Sequence, residues 1–393
     1  MTNNSIQPSA RVQAIEEYYF SRKLREVARL KQEGRNILSL AIGGPDLPPA
    51  PEVIETLSNY AQRPDMHSYQ LTRGTKELRE SFSSWYKRMY GVTLDTDSEI
   101  QPLIGSKEGI LHISMAFLND GDYVLVPDPG YITYRSATRM VGGIPLRYNL
   151  RAENDWQPDF EELENLAMSH NIKLMWVNYP HMPTGTPPGK DLFRRLIDFG
   201  HKHGIVIVND NPYSLILNDN PTSILTVDGS RDIAIEMNSL SKSHNMAGWR
   251  MAMVASNPEF INWIVKMKSN VDSGQFRPMM EAACRALVLD TDWTRQLNDV
   301  YQERQAIGRK IMSALGCHVA DKQCGLFLWG KIPEGYDSSE QFADHLLDRY
   351  DLFLTPGSIF GHNGNDYIRL SLCAPKEILL EALHRINKDT KEI

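Results

Sequence analysis

The chain of 393 residues exceeds the usual single-domain size, and its 41% apolar and 23% charged residues are those of an ordinary globular protein with an ample core. Its 42 basic and 49 acidic residues leave a net charge of −7, which argues against nucleic acid or an anionic membrane as the main partner. No segment approaches the roughly eighteen uninterrupted apolar residues of a membrane span, the amino-terminal stretch has no apolar signal core, and Cys284, Cys317, Cys324 and Cys373 fall in no metal or CxxC spacing, so a cytoplasmic protein with free thiols and no bound metal is expected.

The first predicted element is a charged amphipathic helix over Ser9 to Gly34. From about Glu77 onward, helical and strand patterns alternate. Lys107 to Leu118 reads as a helix, Tyr123 to Pro129 and Ile144 to Leu150 as strands, Lys173 to Pro180 as a further strand, and Lys190 to His203 as a helix. Strands follow at Ile205 to Asp210, Asp232 to Lys242 and Trp249 to Ser256. Short apolar strands separated by helices specify an α/β fold, a mostly parallel sheet with helices on both faces and ligands at the carboxyl ends of its strands. The last hundred residues mix helix and strand. Residues 46–290 are therefore expected to form a large domain, and 1–45 with 291–393 a smaller α+β domain.

Chemistry concentrates in SLSKSHNMAGWR, Ser239 to Arg250, where Lys242 follows a strand among small hydroxyl residues and an arginine stands eight positions on. Partly desolvated and near another cation, such a lysine has a lowered pKa and can form a Schiff base; alone, it reads far more readily as a solvated loop residue. Asp210 and Tyr213 leave another strand at the same predicted edge, an acid suited to protonating a pyridine nitrogen and a phenol suited to a ring hydroxyl. Gly105-Ser106 opens a helix whose free N–H groups suit an anion, with Ser239 and Arg250 as further contacts. Tyr131, after Pro129-Gly130, offers an aromatic face to a planar ring.

Eight strings in order carry a resemblance: GGPD at Gly43, YQLTRG at Tyr69, GSKE at Gly105, PGY at Pro129, NYPxxPTG at Asn178, DxxY at Asp210, SxSKxxxxxGxR at Ser239 and YIRLS at Tyr367. Together they resemble the class I/II aminotransferases, which use pyridoxal 5′-phosphate (PLP) on a fold-type I scaffold, and the likeness runs over nearly the whole chain. It implies that Lys242 holds the cofactor as a Schiff base and then moves the proton at the substrate α-carbon. Asp210 would face the ring nitrogen, Tyr213 the ring 3′-oxygen and Tyr131 the ring face. Ser106, the Lys107 backbone, Ser239 and Arg250 would hold the phosphate, and Tyr69 would reach the phosphate of a neighbouring subunit, implying a homodimer with shared active sites.

The same resemblance assigns Arg369 and the Gly43 N–H to the substrate α-carboxylate, and Lys107 to a distal carboxylate of aspartate, glutamate or 2-oxoglutarate. GSKE and KMKSNVDSGQF, Lys266 to Phe276, are also similar to diaminopimelate and alanine aminotransferases. An amino-acid aminotransferase with a ping-pong cycle is the reading this supports, with a PLP-dependent lyase or a non-catalytic binding protein as alternatives. One position departs from the pattern: Met182 stands where the family carries an asparagine that donates to the ring 3′-oxygen. His181 beside it is expected to face outward from its loop, or to supply the missing donor.

Overall fold

The computed structural model describes residues 6–13, 19–289 and 291–389. The middle of the predicted Ser9 to Gly34 helix lies outside these residues; helices Ala10–Gln13 and Tyr19–Gln32 occupy its two ends. Among the described residues no helix is long and apolar enough to cross a membrane.

Seven strands form the main sheet: β2 (Ile100–Leu103), β3 (Tyr123–Asp128), β4 (Ile144–Asn149), β5 (Ile172–Val177), β6 (Val206–Asp210), β7 (Ala234–Ser239) and β8 (Ala252–Ala255). Their order is β2-β8-β7-β6-β5-β3-β4, and β8 alone runs against the rest. Alternate residues serve opposite faces, as the two-residue strand period demands. Val124, Leu174, Trp176, Val206 and Val208 enter one apolar cluster, and Leu125, Met175, Val177 and Ile207 enter another. Both faces are covered, which is why these strands read as nearly continuous apolar runs.

A second sheet, antiparallel, takes β9 (His318–Val319), β10 (Phe327–Lys331), β12 (Thr355–Pro356) and β13 (Tyr367–Ser371) in the order β12-β13-β10-β9. The two chain ends meet beside it. β1 (Leu38–Ser39) pairs in parallel with β11 (Leu352–Phe353), and the Ser371 N–H donates to the Leu40 carbonyl at 2.8 Å. Helix Tyr19–Gln32 seats Val27 and Leu30 against Ile37, Ala41, Leu347 and Phe353. Arg304, on the long helix Thr291–Ala314, grips both oxygens of Asp46 at 2.6 and 2.9 Å, a bidentate pair that fixes the chain where it leaves this region.

All four cysteines are free, two buried (Cys317, Cys324) and two half-buried (Cys284, Cys373).

Candidate active site

The carboxyl ends of the parallel strands open on one edge of the large sheet. There β5 is followed by Asn178, β6 ends in Asp210, and β7 ends in Ser239, whose next helical turn carries Lys242. β3 leads to Tyr131 and β2 to Ser106. Arg250 reaches this edge from the other direction: because β8 is antiparallel, with Ser239 opposite Ala252, the residues just before β8 lie beside the ends of its neighbours.

These residues surround a cavity of about 400 Å³. Its lining includes Gly43, Ser106, Lys107, Tyr131, Asp210, Tyr213, Ser239, Lys242, Arg250 and Arg369, so the structure gathers every predicted site residue except one. Tyr69 is not part of this wall; its side chain is 95% exposed on the surface of the chain.

At the floor, the buried Asp210 accepts from the Tyr134 hydroxyl at 2.9 Å through Oδ2, while Oδ1 has no partner in the protein. Burial pushes this carboxyl up to about 7, against the Tyr134 hydrogen bond and the Lys242 charge, which both pull it down. The backbone carbonyl of Asp210 accepts from the Asn178 side chain. The Lys242 amine donates to the Gly43 carbonyl at 2.7 Å, and burial lowers its pKa, with the Arg369 and Arg250 charges acting in the same direction and Cys373 and Asp210 opposing. Gly43 thus meets the lysine through its carbonyl, and its lack of a side chain is required: a Cβ there would strike the Phe327 ring.

Gly105, at φ +77°, closes the turn before helix Ser106–Phe117, and a Cβ on it would land on the Arg250 guanidinium. Arg250 therefore lies against the helix amino terminus, next to the buried and unpartnered Ser106 hydroxyl. Behind this loop, Glu108 accepts from the Ile104 N–H at 3.0 Å and from the Lys268 ammonium at 2.6 Å. Lys268 also donates to Asp272 at 2.7 Å, and His112 approaches the same two acids. Burial would raise the Glu108 pKa, but the His112 and Lys268 contacts outweigh it and hold it below the usual range. Three potential metal ligands converge here around an ammonium group that already serves as their counter-ion.

Arg369, on β13, is hydrogen-bonded and packed on several sides. It donates to the Ala41 carbonyl at 2.9 Å and to Met182 Sδ at 3.4 Å, and lies over the Phe327 ring at 4.0 Å and the Phe360 ring at 4.7 Å. Met182 is buried and lines the cavity. His181 corrects the expectation that it faces outward: it is 2% exposed, with Nδ1 on the Thr184 hydroxyl at 2.8 Å. Burial lowers its pKa to about 3, so it is neutral, and its Nε2 is buried without a hydrogen-bond partner.

Sequence reasoning missed Tyr134 and Asn178 as supports of Asp210. Tyr134 had a signal, since it follows Tyr131 by three positions at the start of helix Ile132–Met140 and so lies on the same helical face. The lining also includes the apolar Leu24 and Ile132, which carry no chemical signature of their own.

The donor set fits a phosphorylated pyridine. An unsatisfied carboxylate oxygen lies on the floor, a helix amino terminus with a free hydroxyl and a guanidinium stands at one end, and an amine lies between. The aminotransferase class I and II family model matches residues 35–386. The LL-diaminopimelate aminotransferases of Aquifex aeolicus and Dehalococcoides mccartyi are 38% and 37% identical over 380 residues; these alignments cover 96% of this chain and 98% and 97% of theirs. The substrate-bound BacF structure from Bacillus subtilis superposes with a TM-score of 0.92 at 33% identity, covering 98% of this chain and 97% of that one. The chain belongs to the class I and II aminotransferases, the PLP-dependent enzymes of fold type I.

Proposed function

We propose that this cavity transfers the α-amino group of an amino acid to a 2-oxo acid, 2-oxoglutarate, in two half-reactions at one site. The observation that supports it most directly is the placement of Lys242, the half-satisfied Asp210 and Arg369 on a single cavity wall system. When bound, PLP supplies an electron sink that stabilises negative charge at the substrate α-carbon.

The protein's own groups do the rest. Burial shifts Lys242 toward its neutral amine, the form that can bond to an aldehyde carbon and take and return the α-proton. Asp210, fixed by Tyr134 and Asn178, would keep a proton on the ring nitrogen. Tyr213 would meet a ring oxygen and Tyr131 a ring face. Ser106, the Lys107 N–H, Ser239 and Arg250 would hold the phosphate. The Arg369 fork takes the α-carboxylate, and Lys107 at the wall takes the distal carboxylate of 2-oxoglutarate. Closure of residues 1–45 and 291–393 over 46–290 excludes water from the proton transfer. The active unit is a homodimer in which Tyr69 reaches the phosphate of the second copy.

Borohydride reduction of the PLP-loaded protein, followed by peptide mapping, tests the central assignment. One phosphopyridoxyl label on the peptide that carries Lys242 is expected; a label elsewhere, or none, rejects it.

A further inference from the structure

The string KMKSNVDSGQF, Lys266 to Phe276, has no part in the chemistry above. It ends helix Pro258–Lys268 and continues as a loop that meets three separate pieces of the chain, two of which carry residues assigned to the phosphate. The first is the turn before helix Ser106–Phe117. Lys268, 2% exposed, donates to Glu108 Oε1 at 2.6 Å and to Asp272 Oδ1 at 2.7 Å. Glu108 is the third residue of that helix, and its other oxygen reaches back to the Ile104 N–H at 3.0 Å, one residue before the Gly105 cap. A glutamate that bonds back across the first turn fixes how the chain enters the helix. The buried ammonium in turn fixes the glutamate, since removing either charge strands the other.

The second piece is Arg250 itself. Its backbone is left-handed, at φ +55°, a conformation that a residue with a side chain adopts at a cost. The Gln275 amide donates to its carbonyl at 2.7 Å and so holds the backbone from which the guanidinium extends. The third is the loop that carries Tyr69: the Gly274 N–H donates to the Gln70 carbonyl at 3.0 Å, and the Thr72 hydroxyl to the Asp272 carbonyl at 3.4 Å. A phosphate shared by a serine hydroxyl and a guanidinium depends on the separation of the two, because hydrogen bonds weaken steeply once donor and acceptor part beyond about 3 Å. Resting on the reading of Ser106 and Arg250 as the phosphate grip, we infer that the segment Lys268–Phe276 positions that grip. Lys268 acts through Glu108 on the helix entrance, and Gln275 acts on the Arg250 backbone.

Titration of the full-length, cofactor-free protein with PLP and with pyridoxal, which keeps the ring and the aldehyde and lacks the phosphate, separates this role from a general structural one. Lys268→Met is expected to lower PLP affinity at least tenfold and Gln275→Ala at least threefold, with pyridoxal affinity within twofold of wild type in both. Gln275 is a half-buried loop residue, so its variant decides the matter where Lys268→Met does not fold. Unchanged PLP affinity in Gln275→Ala or in folded Lys268→Met, or equal losses for the two ligands, overturns the inference and leaves the phosphate grip standing. Wild-type protein that binds pyridoxal as tightly as PLP overturns the grip as well.

Discussion

Asp210 is a carboxyl group kept from water with half of its hydrogen-bonding capacity unused, and this has a thermodynamic cost. Its pKa near 7 lies above the value of about 3.9 for an unfolded chain, so the native state binds the extra proton between those limits. The favourable contribution is complete below about pH 4 and is lost as pH rises to 7. In protein stripped of cofactor, Asp210→Asn removes that loss, and its urea midpoint should exceed the wild type's by more at about pH 8 than at about pH 5.5. A gap that narrows with rising pH contradicts the assignment. Met182 is the second telling residue. Its thioether contacts Arg369 but has no proton to donate to a ring oxygen. Met182→Asn restores a donor of about 1 kcal/mol, which should lower the pH midpoint of the visible absorbance change of the PLP-loaded protein by most of a unit. An unchanged or higher midpoint rejects it. That Lys242, Asp210 and Arg369 belong to one site was legible because each stands in a motif of several residues. The state of His181 was not, because burial of a loop depends on what packs over it and leaves no trace in the loop's own sequence.

At the scale of elements, the helix that begins at Ser106 depends on the glycine before it. Gly105 has both a left-handed backbone and no room for a methyl group against Arg250. Gly105→Ala should therefore displace the guanidinium and weaken PLP binding at least tenfold while the fold persists; fluorescence titration of cofactor-free protein measures it, with circular dichroism as the control. The large sheet was readable because strands such as β5 and β6 are apolar on both faces. The predicted helices Lys107 to Leu118 and Lys190 to His203 agree with Ser106–Phe117 and Leu192–His203 to within two residues at each end. The reversed direction of β8 was not readable, since strand patterning is blind to polarity, and that direction is what delivers Arg250 to the site. The meeting of the chain ends was also hidden: a two-residue parallel pair such as β1 with β11 is too short to show any period.

For the whole molecule, the surface around Tyr69 is the outlying feature. Tyr69 and Leu71 are 95% and 79% exposed, two large apolar-bodied side chains two positions apart in one loop, and the proposed homodimer would give them a place. Sedimentation should show a dimer. Tyr69→Phe, which keeps the ring and removes the hydroxyl, should leave the dimer intact and weaken PLP binding several-fold if that hydroxyl serves the phosphate of the other copy. Normal affinity in the variant removes Tyr69 from the site. One consequence concerns handedness. A guanidinium packed over the Phe327 and Phe360 rings and tied to the Ala41 carbonyl holds one orientation within its own lobe, and the Lys242 amine stands at a separate point of the same cavity. With the α-carboxylate on the first, only one enantiomer of a donor presents its α-hydrogen to the second. The enantiomers of each donor should therefore differ by orders of magnitude in the rate at which they discharge the cofactor, a discrimination set by where one arginine stands relative to one lysine.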